Sequence, residues 1–204
     1  METNQEELRT RLRSGDADAF GTLFDDCARS VYNHGFRLTG NWSTAEDIVS
    51  LTFLEAWRLR DRIEAEGGSV RPWLLGLATN VARNTRRATR RHAAAVARLP
   101  RAEAERDFAD EVAGRLDDAS QLALVQTALS RLRRSEREVL ALCVWSGLGY
   151  AAAAEALGVP VGTVRSRLSR ARTKLANAME PPARAGQLRV SRAPAAGPIE
   201  EGNR

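Results

Sequence analysis

Cysteine is nearly missing from this sequence of 204 residues: Cys27 and Cys143 are the only two, far apart and in no CxxC or Cys/His ligand spacing. That excludes a disulfide scaffold and a structural zinc module. Both read as small buried hydrophobes in a reducing cytosol. Histidine is as scarce, and His34 and His92 stand alone. No carboxylate cluster, His/Cys set or glycine-rich phosphate loop offers an enzyme its acid, base or metal. The sequence therefore predicts no catalytic residue, no metal ligand and no cofactor. Long apolar runs are missing too, since none approaches the ~20 residues of a membrane span. Met1-Glu2-Thr3-Asn4-Gln5 leads into no apolar core, so no signal peptide is read. The expectation is a cytoplasmic chain without membrane insertion.

Lysine is all but absent, with Lys174 the only one among 31 basic residues. Arginine supplies the net charge of +5 and a pI near 10.1, a balance that suits an anionic partner. A GC-rich coding sequence would give the same excess, so the position of each arginine carries the argument. Hydrophobic residues make up 43%, ordinary for a folded chain.

Helical spacing dominates and strand alternation is almost lacking. Ser14-Gly15-Asp16 predicts a helix start, with Gly40 closing the helix after Thr39. Ser43-Thr44-Ala45-Glu46 reads as a capping box for a helix to about Arg62. Glu66-Gly67-Gly68-Ser69 reads as a loop. Pro72 suits the first turn of a third helix running to about Arg91. From Arg83 to Arg101 there are seven arginines and no acids; from Glu103 to Asp118 there are seven acids and two arginines. That reversal, with Pro100 between, marks a linker. Its 27 residues would span about 90 Å if extended. A second helical region is expected from about Asp118, with Ser135-Glu136-Arg137-Glu138 as another capping box. The Ala-, Pro-, Gly- and Arg-rich tail after Met179 is expected to be disordered.

The most informative segment runs from Leu148 to Arg170. An alanine-rich helix ends at Gly158, and Pro160 starts the next one. Val164, Leu168 and Leu175 share an inward face, while Thr163, Arg167, Arg170 and Lys174 share another, with Arg165 and Ser166 beside it. No acid lies between Glu155 and Glu180. An apolar back, a basic front and short polar residues in the first turn are what a recognition helix in a major groove needs. A plain amphipathic hairpin would need neither the Gly-Val-Pro break nor the acid-free face.

Gly162-Thr163-Val164-Arg165-Ser166-Arg167-Leu168-Ser169-Arg170-Ala171-Arg172 resembles the DNA-reading helix of extracytoplasmic-function (ECF) sigma factors of the sigma-70 family, and Leu132 to Leu140 resembles the helix leading into it. Ala45 to Trp57 resembles the family's polymerase-binding helix, and Arg71 to Asn80 the start of its promoter-melting helix. Alanines at 151–154 replace acids common in the motif's first helix, and the tail after Met179 has no counterpart. The resemblance implies an all-α chain of two small helical domains: region 2 at 10–91, a three- to four-helix bundle, and region 4 at 119–178, a helix-turn-helix, with a flexible linker at 92–118. It implies as partners core RNA polymerase (β′ clamp helices, β flap), promoter DNA both duplex and single-stranded, and an anti-sigma protein.

The resemblance also distributes roles. Tyr150, Pro160, Thr163, Arg165, Ser166, Arg167, Arg170 and Lys174 would serve the −35 element. Trp73, Asn80 and Asn84, on roughly one helix face, would serve the −10 element, with Arg83, Arg86, Arg87, Arg90 and Arg91 following phosphates. Stacking on an aromatic contributes ~1–3 kcal/mol per unstacked base. A core tryptophan with two surface amides is the plainer reading, and the Glu64–Ser69 loop could hold a flipped base. Glu46, Asp47, Thr52 and Phe53 would bind polymerase. For the two acids, helix-dipole pairing worth ~0.3–1 kcal/mol is the plainer account, and for Phe53 and Trp57 it is bundle core. The acidic linker is either a solvated tether or a mimic of nucleic-acid phosphates inside the polymerase channel. The main rival is a conventional helix-turn-helix regulator, which needs the C-terminal motif but not the N-terminal matches. A nucleic-acid hydrolase or a helical adaptor is less well served by these residues.

Overall fold

The structure, a computed structural model, describes residues 2–96 and 128–179, and among these every regular element is helical. The linker beyond Val96, the expected helix start near Asp118 and the tail from Glu180 lie outside the described residues. The N-terminal half holds α1 (Glu2–Ser14), α2 (Ala17–Thr39), α3 (Trp42–Arg58), a 3-10 turn (Arg60–Arg62) and α4 (Arg71–Val96). The C-terminal half holds α5 (Arg134–Leu140), a π-helical turn (Ala141–Trp145), α6 (Tyr150–Leu157) and α7 (Val161–Met179).

Helix boundaries follow local chemistry. Asp16 caps α2, its Oδ1 accepting from the Asp18 and Ala19 N–H groups at 2.9 and 3.1 Å. The start of α3 differs from the sequence expectation. Asn41, not Ser43, is the N-cap, and its Oδ1 accepts from Thr44 N at 2.8 Å. Asn41 has an extended backbone directly after the Gly40 cap, so the chain re-enters a helix two residues earlier. Glu46 and Asp47 consequently sit in the second turn, past the strongest reach of the dipole. At α5 the cap is Arg133, whose N–H donates to the Glu136 carboxylate at 2.8 Å; Ser135 lies inside the helix. The helix α1 went unread, because only Leu8 and Leu12 mark its inner face.

Two apolar cores result. Leu12, Leu23, Val31, Ile48, Ile63 and Leu74 anchor the first. Val139, Leu142, Leu157, Val164 and Leu168 anchor the second. Each large buried side chain contributes about 1.5–3 kcal/mol. The cores meet on α4, since Leu75 belongs to the second. Next to it, a Cβ on Gly76 would stand 2.7 Å from the Ala156 carbonyl oxygen, so glycine is what lets α6 rest on α4. Arg71 spans the same contact, donating to Ser146 O at 2.9 Å and to Ser30 Oγ at 3.0 and 3.1 Å. Arg37 lies over the Trp145 ring at 5.5 Å. The halves therefore pack directly on each other.

Candidate nucleic-acid interface

The helix-turn-helix forms as its sequence predicts. Gly158 ends α6 in the left-handed conformation at φ 63°, and the Pro160 carbonyl accepts from Thr163 N at 2.9 Å as α7 begins. Val164, Leu168 and Ala171 are buried and fix the roll of α7. Arg165, Ser166, Arg170 and Arg172 are thereby exposed, and Thr163 and Arg167 half-buried at the edge. Arg170 donates to Ser166 O and Oγ at 3.1 and 3.3 Å. The Arg165 guanidinium lies 5.7 Å from the ring centroid of Tyr150, which itself faces solvent at the start of α6. Arginines on this face have no carboxylate partner among the described residues.

Lys174 has a partner within the fold. Its Nζ donates to both oxygens of the buried Glu136 at 2.9 and 2.7 Å. Burial pushes the Glu136 carboxyl up, but the bonds from Lys174 and Arg133 N outweigh it and leave the pKa below the ordinary value. The charge of Lys174 thus ties α7 to α5.

On α4, Asn80, Asn84, Arg86, Arg87, Arg90 and Arg91 are exposed, while Trp73 is half-buried against the first core. Arg83 is not free either. It makes a two-pronged pair with Glu138 of α5 at 2.8 and 2.7 Å and donates to Asn80 Oδ1 at 3.1 Å. The loop before α4 is pinned by Arg9, which donates to the carbonyls of Gly68 and Glu64 at 2.8 Å and of Ser69 at 3.5 Å. Arg13 donates to Ile63 O beside it.

The four polymerase candidates divide. Glu46 and Asp47 are exposed. Thr52 is fully buried with no partner for its hydroxyl, so it supports the bundle and cannot touch another protein. Phe53 packs inward and meets Phe24 at 4.8 Å. The outer face of α3 instead carries Leu51 and Leu54, 45% and 57% exposed, which the sequence reading passed over. The signal was available: 47, 51 and 54 share one face at helical spacing, opposite Ile48, Thr52 and Ala56.

Residues 23–92 match the family described as Sigma-70 region 2, and residues 122–175 match Sigma-70, region 4. The ECF RNA polymerase sigma factor BldN of Streptomyces coelicolor is 32% identical over 180 residues, covering 87% of this chain and 67% of BldN. The RNA polymerase sigma factor NccH of Alcaligenes xylosoxydans xylosoxydans is 34% identical over 175 residues, covering 83% and 91%. The chain belongs to the sigma-70 family, in its ECF group. As an ECF sigma factor it acts in transcription initiation, and α6 and α7 lie within its DNA-binding region 4. Its fold is similar to CnrH, solved with the cytosolic domain of CnrY, at a TM-score of 0.62 and 25% identity over 85% of this chain and 95% of CnrH. It is also similar to RpoE of Bartonella quintana, solved with the anti-sigma factor NepR, at 0.60 and 27% over 78% and 95%. Among the described residues, no helix is long and apolar enough to cross a membrane.

Proposed function

We propose that this sigma factor binds core RNA polymerase, places α7 in the major groove of the −35 element, and opens the −10 element along α4. The observation that carries the reading is the solvent-facing, acid-free front of α7, held in place by Val164, Leu168 and Ala171. Arg165 and Arg167, early in the helix, are positioned for base edges; Arg172, later, for phosphate. On α4, Asn80 and Asn84 supply amide hydrogen bonds to unstacked bases, Trp73 supplies an aromatic edge, and Arg86, Arg87 and Arg90 follow the backbone. Thr163, Ser166, Arg170 and Tyr150 complete the −35 surface.

The polymerase surface is the outer face of α3, with Glu46 and Asp47 at its start and Leu51 and Leu54 beyond. An apolar patch rimmed by acids suits the clamp helices of β′, and region 4 suits the β flap. An anti-sigma protein is a further partner, by analogy with CnrY and NepR on the related chains. The chain works in the cytoplasm, where its polymerase is. The test is transcription from promoter templates by purified core polymerase, with and without this chain. Start-site-specific transcripts that need the chain are expected. Tight duplex binding without any such transcript would return the protein to the conventional regulators.

A further inference from the structure

The packing of one half on the other creates a space that neither half has alone. Arg83, Arg86, Arg87 and Arg90 of α4 face Arg134 and Arg137 of α5 across a cleft of about 450 Å³. Glu138 answers only Arg83, at 2.8 and 2.7 Å, and Arg134, at 3.5 Å. Arg86, Arg87, Arg90 and Arg137 have no carboxylate partner among the described residues. Arg137 gives one bond to Leu129 O at 3.0 Å, and its Nε is buried with no partner at all. Burial and the nearby Arg86 charge hold the Arg137 pKa below the usual arginine value. Like charges gathered at a domain contact oppose that contact unless an anion lies between them.

A second chamber of about 280 Å³ adjoins the cleft and shares Arg83, Arg86, Arg134 and Arg137 as a common wall. Its far side is different in kind: Leu38 and Ala82 make an apolar floor, and Asn41, Thr44 and Thr85 bring an amide and hydroxyls. Guanidinium forks match phosphate oxygens two bonds at a time. A flat heterocycle with polar edges suits the chamber beside them.

We propose that this double cavity binds a nucleoside polyphosphate, with its phosphates on Arg86, Arg87, Arg90 and Arg137 and its base against Leu38 and Ala82. The bound nucleotide bridges the halves and holds them together, because it meets both walls only when they are packed. Competition with promoter DNA follows if α4 reads the −10 element as proposed above; the binding itself does not depend on that reading.

The experiment is calorimetric titration of the full chain with GTP, ATP and inorganic tripolyphosphate in about 0.15 M salt, near a Debye length of ~8 Å. A nucleotide is expected to bind about tenfold tighter than tripolyphosphate, a gain of roughly 1.4 kcal/mol from the base. Arg86→Gln and Arg137→Gln, on different halves, should each weaken it about tenfold. Gly76→Leu, which forces α6 off α4, should do the same with helical circular dichroism retained. Tripolyphosphate binding as tightly as both nucleotides would reduce the site to a diffuse basic patch and overturn the proposal. So would full affinity in Arg137→Gln, which decides the matter if Gly76→Leu fails to fold. None of these outcomes bears on promoter-dependent transcription, so the two readings fail separately.

Discussion

His34 is fully buried on α2, its Nε2 2.8 Å from Thr79 Oγ1 and its Nδ1 without a partner. Burial, then the charges of Arg37 and Arg71, lower its pKa to about 4. An unfolded histidine titrates near 6.5, so between these values the unfolded chain binds more protons and stability falls as pH falls. The contribution is intact above pH 6.5 and gone below pH 4, up to roughly 3 kcal/mol at ~1.4 per unit. Thermal melts at pH 7 and pH 5 should show a drop that His34→Gln largely removes; an equal drop in both proteins would refute this. Lys174 was legible as a positive charge but not as a structural one, because nothing in the sequence says that Glu136, 38 residues earlier, is buried beneath it. Lys174→Ala should cost roughly 2–4 kcal/mol, less than a fully buried pair since the lysine is partly exposed. Denaturant titration would reveal it. Arg165→Ala should instead leave stability alone and flatten the −35 preference by ~1–3 kcal/mol, read as holoenzyme binding to cognate and scrambled promoters. Equal losses on both would show that Arg165 meets phosphate.

At the scale of elements, caps, breaks and apolar spacing together located α2, α3, α4, α6 and α7, while the start of α3 was missed because a cap could be chosen between neighbouring residues. Asn41 displaced Ser43, and α4 continues five residues past Arg91 to Val96 because 92–96 holds no breaker. The resemblance placed a function on α3 without its rotation. Rotation comes from packing, and it turns Thr52 inward and Leu54 outward. Asp47→Ala and Leu54→Ser should each weaken binding to core polymerase, Leu54→Ser the more, with unchanged melting temperature. Surface changes away from buried partners stay within about 0.5 kcal/mol. Wild-type affinity in Leu54→Ser would remove the outer face of α3 from the interface.

Across the whole molecule, the contact between halves was not legible. Gly76 reads as an ordinary helical glycine until Ala156 is seen against it, and Arg83 and Glu138 lie 55 residues apart. Glu138→Gln should loosen the packed arrangement, raising the radius of gyration in small-angle scattering; an unchanged value would show that the apolar contact suffices. The described chain offers one side-chain amine, and that nitrogen is already the bolt between α7 and α5. Acylation, which elsewhere erodes a basic protein's grip on DNA by many small steps, has a single lysine to strike here. It would neutralise that nitrogen, leave the buried Glu136 carboxylate with only the Arg133 N–H, and register as lost stability in the C-terminal half.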